Sequence, residues 1–263
     1  MKYPKYPAYK DSGVEWIGKI PEHWDTVPIK FIMSCNDETL PEGTHPETKI
    51  QYIEISDVSE IKGITNIQEI KFSDAPSRAR RIVKDGDIII STVRTYLRAI
   101  GAIKEPKKNT VVSTGFAVLR PRGISSKFAK YAFSSSYFIE RIVSESTGVN
   151  YPAISSEKLM NFSIPIPDSK SQSEISDYID KIESKLNLLI SKQEKMIGLL
   201  KEKRQAIITK AVTKGFYRSV RMKDSGVDWI GEIPEGWIVT KLKFISFISA
   251  DYGINLSSDN YID

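Results

Sequence analysis

The chain has 263 residues, 40% of them hydrophobic and 27% charged, with a formal net charge of +5. That length holds one full domain and part of a second, or a domain plus an extended element, and this apolar content supports a buried core. A single cysteine, Cys35, excludes an internal disulfide. No run approaches the roughly 18 apolar residues of a membrane span, and no apolar stretch follows Met1 to Gly13 as in a signal peptide, so a soluble, cytoplasmic protein is expected.

The first element is a motif, KDSGVEWIGKIPEHW from Lys10 to Trp24, which returns as KDSGVDWIGEIPEGW from Lys223 to Trp237. The offset is 213 residues, twelve of fifteen positions are identical, and all four tryptophans (Trp16, Trp24, Trp229, Trp237) lie in the two copies. Paired tryptophans in a Pro/Gly-broken segment fit docking onto another surface, and equally packing on their own domain. Only 26 residues follow Trp237, too few for a core, so the second copy is expected to open a second unit that is incomplete.

Between the copies, Ile50 to Val58 alternates in strand fashion, and Asp87 to Val93 is a β-rich apolar run behind the turn Lys84-Asp85-Gly86. Val111-Val112 and Phe116 to Leu119 read as strands broken by Gly115. Helical spacing runs from Ser126 to Val143, and Ile164 to Asp168 is a proline-punctuated connector. From Lys71 to Arg122 there are twelve Lys/Arg against four acids, a net +8 that leaves −3 for the remainder. Such a stretch fits a polyanion partner, or simply a solvated charged face. Ser171 and Glu174 then suggest a capping box opening a helix of about 40 residues, roughly 60 Å long, with Gly215 as its stop. Its apolar stripe runs through Ile175, Ile179, Ile182, Leu186, Leu189, Met196, Leu200, Ile207 and Ala211, interrupted by Gln193 and Arg204. A stripe of that length calls for a partner helix, because a domain about 30 Å across cannot cover it all.

Catalytic signals are missing. His23 and His45 have no ligand-spaced neighbours, and there is no phosphate-binding loop, dinucleotide fingerprint, methyltransferase tetrapeptide or nucleophile elbow. Pro167-Asp168 with Glu183-Ser184-Lys185 matches a loose nuclease pattern, but Glu183 and Lys185 fall on the polar side of the predicted helix rather than on a strand.

The order of these parts resembles the DNA specificity subunits of type I restriction–modification systems. YIEISDV (Tyr52 to Val58), VKDGDIIISTVRTYL (Val83 to Leu97), VVSTGFAVLRP (Val111 to Pro121) and TGVNYPAIS (Thr147 to Ser155) are similar to that family's target-recognition domain. The resemblance implies an α+β fold: a mixed-sheet target-recognition domain followed by a long coiled-coil-type helix. It divides the chain into a Trp-containing segment (1–24), a recognition domain (25–168), a spacer helix (169–215), and a repeat that begins an incomplete second recognition domain (216–263). It implies a non-catalytic, metal-free chain that binds double-stranded DNA and directs a methyltransferase subunit, which holds S-adenosylmethionine, and a restriction subunit to a bipartite target.

Arg78, Arg80, Arg81, Arg94, Tyr96, Arg98, Lys107, Lys108, Asn150 and Tyr151 are the candidate DNA contacts. If the strand before Arg94 continues, alternation aims Arg94, Tyr96 and Arg98 to one face. Ile175, Ile179, Ile182, Leu186, Leu189, Leu200 and Ile207, with Trp16 and Trp24, are the candidate interface for a partner subunit or an antiparallel homodimer. A free-standing coiled-coil DNA-binding regulator or restriction antagonist is the alternative, but it has no need of a second copy of the motif.

Overall fold

A computed structural model describes residues 6–216 and 219–245. The chain divides into two units, Met1–Ser184 and Lys185–Asp263.

The first unit opens with the hairpin β1 (Tyr9–Asp11) and β2 (Lys19–Pro21), paired Tyr9 to Pro21. The motif makes its own turn: Asp11 Oδ1 accepts from the Gly13 amide at 2.8 Å, and Gly13 and Gly18 take left-handed φ of 71° and 69°. β3 (Asp25–Pro28) then pairs antiparallel with β14 (Ser163–Ile166). The proline-punctuated connector is thus an edge strand, where a missing N–H is tolerated.

Two four-stranded sheets form the body. The first is antiparallel, ordered β11 (Ile100–Ala102), β10 (Ile88–Ser91), β13 (Phe116–Pro121), β4 (Met33–Cys35). The second, ordered β8 (Gln68–Lys71), β5 (Lys49–Ile53), β12 (Thr110–Ser113), β9 (Ala79–Ile82), is mixed, with β5 and β12 parallel. A two-stranded ribbon, β6 (Val58–Ser59) and β7 (Gly63–Ile64), completes the strands here.

The unbroken Ile88-Ile89-Ile90 run follows from burial on both faces. Ile88 and Ile90 join Leu119, Phe128, Phe133 and Phe138 beneath the helices α1 (Ser126–Phe133) and α2 (Ser136–Glu145), while Ile89 joins Ile53, Val112 and Phe116 between the sheets. A short α3 (Ser156–Met160) closes the helical layer, with Leu159 fully buried.

Three elements depart from the sequence pattern. The strand from Ile50 breaks at Glu54 into a 3-10 turn, Ile55–Asp57, held by reciprocal Glu54 and Asp57 side-chain caps. The helical stretch from Ser126 is two helices, because Ser135 is extended (φ −71°, ψ 143°) and restarts the chain as an N-cap. The long helix α4 (Ser169–Lys214) starts before Ser171: Asp168 receives the Ser171 amide at 3.0 Å, so it takes the capping role assigned to Ser171.

α4 has 46 residues, about 69 Å at 1.5 Å each. Its first turns are fixed on the first unit. Buried Gln172 accepts from the Ser125 amide and donates to the Pro167 carbonyl, both at 2.9 Å, and Ile175 packs on the core. Lys127 meets Asp177 at 2.7 Å, and Lys130 meets Glu183 at 3.0 Å. The helix ends as expected at Gly215 (φ 69°), whose amide bonds the Ala211 carbonyl.

In the second unit the repeated motif rebuilds its hairpin, β15 (Met222–Asp224) with β16 (Glu232–Pro234), in the same register, Met222 to Pro234. Leu242–Phe244 repeats the 3-10 turn of Ile29–Phe31. The local conformation is copied but the burial is not: Ile29 is fully buried, whereas Leu242 is 78% exposed. The expected continuation of a second domain beyond residue 245 lies outside the described residues.

Candidate nucleic-acid interface

β10 ends at Ser91, and the chain does not continue as a strand. Arg94 turns into the left-handed region (φ 52°, ψ 48°), a 3-10 turn follows at Thr95–Leu97, and Arg98 is left-handed again (φ 52°, ψ 35°). For a residue with a Cβ each such turn costs about 1–2 kcal/mol, so something must hold it. The brace is the loop 147–153. Thr147 and Ala153 exchange two 2.9 Å hydrogen bonds, Ala153 also bridges Val93, and the Ile154 amide reaches the Thr92 carbonyl at 2.9 Å. Buried Thr95 anchors the turn from below, its hydroxyl 2.8 Å from that of Ser146.

Above this brace the side chains project outward. The Arg94 guanidinium lies 5.0 Å from the centre of the Tyr151 ring, a cation–π contact that leaves its donors open. Tyr96, Asn150 and Tyr151 are exposed beside it. Among the described residues no carboxylate lies within ion-pair distance of Arg94. A forked donor, an amide and two phenols on one braced surface suit the hydrogen-bonding edges of bases.

The family model for the type I restriction modification DNA specificity domain matches residues 21–198. The chain belongs to that family.

The chain is 29% identical over 235 residues to the type I restriction enzyme MjaVIII specificity subunit of Methanocaldococcus jannaschii, covering 86% of this chain and 49% of that protein. It is 26% identical over 225 residues to the type I restriction enzyme StySPI specificity subunit of Salmonella potsdam, covering 81% and 47%. It therefore spans about half the length of the curated relatives it matches. The fold is similar to the crystal structure of the HsdS subunit from Thermoanaerobacter tengcongensis, with a TM-score of 0.59 and 23% identity over 79% of this chain and 55% of that one.

Within this specificity domain the other candidate contacts are spread out. Arg78 lies at the same sheet end as Arg94, since its carbonyl accepts the Thr114 amide and the neighbouring Gly115 carbonyl accepts that of Thr92; its guanidinium pairs with Glu54. The alternation expected to aim Arg94, Tyr96 and Arg98 to one face does not hold, because a 3-10 turn replaces the strand; the Arg98 guanidinium is drawn to Glu60 at 3.2 Å and Glu140 at 2.5 Å. Arg80 lies 4.6 Å over the Phe72 ring. Arg81 is half-buried, and burial pulls its pKa below the usual guanidinium value. Lys107 and Lys108 are exposed on the loop after β11, at the opposite end of the β10–β11 pair from Arg94.

Trp16 packs on its own unit, 6.4 Å from the Phe162 ring and beneath the Arg141 guanidinium at 4.0 Å; Trp24 is half-buried. Along α4, Ile175, Ile179 and Ile182 are half-buried. From Leu186 through Leu189 and Leu200 to Ile207 the large apolar side chains are 52–57% exposed. At 100° per residue most of them fall in an arc of about 120°, wider than a two-helix seam. Glu183 is tied to Lys130 on the helix surface, far from the strand geometry a nuclease requires. Among the described residues no cluster of His, Cys, Asp and Glu is arranged to hold a metal, and no helix is long and apolar enough to cross a membrane.

Sequence reading missed Leu97 and Val149, exposed apolar residues on the two braced loops. The available signal was an apolar residue isolated between Gly148 and Asn150.

Proposed function

We propose that this chain reads DNA sequence as a non-catalytic subunit of a type I restriction–modification complex in the cytoplasm. The supporting observation is the braced pair of loops, 93–98 and 147–153, that brings Arg94, Asn150 and Tyr151 to one open surface of a specificity domain. Arg94 suits the two acceptors of guanine and Asn150 the donor–acceptor edge of adenine, both in the major groove. Arg78, at the same sheet end as Arg94, serves the phosphates by exchanging Glu54 for DNA. Adenine methylation with S-adenosylmethionine, and cleavage, belong to partner modification and restriction subunits.

The exposed stripe of α4 supports a protein partner along the helix. An antiparallel pair of these helices sets two copies of the first unit at opposite ends and makes the target an interrupted palindrome. Gln193, inside the stripe, fixes the register of such a seam. The width of the arc leaves apolar surface beyond that seam for the modification subunit.

Co-expression tests the reading. The chain co-purifies with a modification subunit, transfers no methyl group by itself, and confers sequence-dependent adenine methylation on the pair. Methyl transfer by the chain alone, or unchanged methylation without it, contradicts the proposal.

A further inference from the structure

We infer that Val149 recognises the C5 methyl group of a thymine lying within about two base pairs of the base edge taken by Arg94. The inference deepens the DNA-reading function proposed above and rests on it.

Val149 is 97% exposed, with Tyr151 at 65%, Tyr96 at 52% and Leu97 at 42% on the same two braced loops. The two loops are bridged at Val93 and Ala153, so these residues stand on adjoining loops, and Val149 projects between Gly148 and Asn150 without support from neighbouring side chains. Its position is nonetheless fixed. The Thr147–Ala153 pair closes the loop, and Gly148 (φ 110°) turns so tightly that a Cβ there would stand 3.1 Å from the Tyr151 carbonyl oxygen. The β-branched valine adds few rotamers, so little freedom is lost when it meets a ligand.

Chemistry selects the ligand. Valine has no donor or acceptor, so against most base edges it would strip water from polar atoms and return nothing. The thymine methyl is the one apolar group on the base edges of a duplex, and it lies in the major groove. Loop geometry agrees. The paired chains at 147 and 153 form a two-stranded ribbon, the kind of element the roughly 12 Å major groove admits and the roughly 6 Å minor groove does not. Arg94, stacked on Tyr151 two residues along, then supplies forked donors to a neighbouring guanine. The shared methyl makes 5-methylcytosine the other base that fits this position.

The test uses the full chain, with its modification subunit, on the duplex it enriches from a randomised pool. Each thymine is replaced singly by deoxyuridine, which removes that methyl alone. One replacement is expected to weaken wild-type binding about four-fold, the value of one buried methyl. Val149→Ala binds the thymine and deoxyuridine duplexes equally, and 5-methylcytosine–guanine at that pair restores wild-type discrimination over cytosine. Because the side chain is exposed, Val149→Ala melts as the wild type does. Indifference of the wild type to every deoxyuridine, with selective binding intact, overturns the methyl contact alone. A four-fold penalty that survives Val149→Ala assigns the methyl to another side chain and also overturns it. Failure to enrich any duplex removes the DNA-reading function and this inference together.

Discussion

Arg94 holds a backbone conformation that glycine would take without cost, and that conformation lifts its guanidinium onto Tyr151. The base-reading role proposed for Arg94 accounts for strain kept at an arginine on an open surface. Arg94→Gly is therefore expected to melt no lower than wild type, while losing about 1–3 kcal/mol of discrimination at one base pair. A melting loss with unchanged selectivity would place Arg94 among structural residues instead. Arg120 shows the opposite balance. Its Nε and Nη2 each donate at 2.9 Å to Asp87, which is fully buried and also receives the Lys84 amide. Hydrogen bonding to Asp87 raises the arginine's pKa above its usual value. Arg120→Met strands that carboxylate and is expected to cost about 3–5 kcal/mol of stability, read by denaturant unfolding, without altering base preference in the folded fraction. At this scale the basic segment stands out in the sequence, but the roles of its members were not separable there. Which of Arg78, Arg94 and Arg98 meets a carboxylate depends on Glu54, Glu60 and Glu140, brought near only by the fold.

The elements were more legible than their junctions. Ile88-Ile89-Ile90 and Val111-Val112 read as strands because period-2 burial on two faces leaves an unbroken apolar run. The brace between residues 93 and 153 was not legible, because pairing across sixty residues leaves no local pattern. The Trp motif makes a controlled comparison within one chain. Trp16 rests between Phe162 and Arg141, whereas Trp229, in the same hairpin, is 85% exposed. Trp16→Ala should cost about 2 kcal/mol or more, below the 3–5 of a full core position, and Trp229→Ala less than about 0.5 kcal/mol. Equal costs in thermal melts would mean that Trp229 is covered in solution.

The seat of α4 on α1 gives a pH dependence. Burial pushes the Asp180 and Glu183 carboxyls up, but hydrogen bonds from Lys127 and Tyr131 to the first, and from Lys130 and Tyr131 to the second, bring both below their usual values. Carboxylates with depressed folded values stabilise the fold above the unfolded pKa, and that contribution fades as pH falls through the folded value. The seat should weaken below about pH 4. Melting temperatures between pH 5 and pH 3 are expected to fall less steeply in Glu183→Gln than in wild type; parallel slopes would show that Glu183 contributes nothing.

Over the whole molecule, helix length and stripe were readable from spacing, while the extent of the free seam was not. Ile175 is consumed by the chain's own core, and exposure begins at Leu186. Side chains of this size contribute about 1.5–3 kcal/mol each when fully buried, enough for association along the seam. Leu200→Glu with Ile207→Glu should reduce a dimer to monomers in sedimentation at micromolar concentration, leaving the first unit folded. A wild type that sediments as a monomer by itself would reserve the seam for the modification subunit.

Sequence-selective DNA binding through the braced loops is tested most directly by duplex selection. A randomised duplex pool is passed over wild type and over the Arg94→Ala, Tyr151→Ala variant, and the bound fractions are sequenced. Wild type is predicted to enrich one interrupted sequence. The variant should bind with a similar salt dependence and no preference at the affected positions. Enrichment of the same sequence by both, or of none by wild type, would contradict the assignment of this surface as the reader.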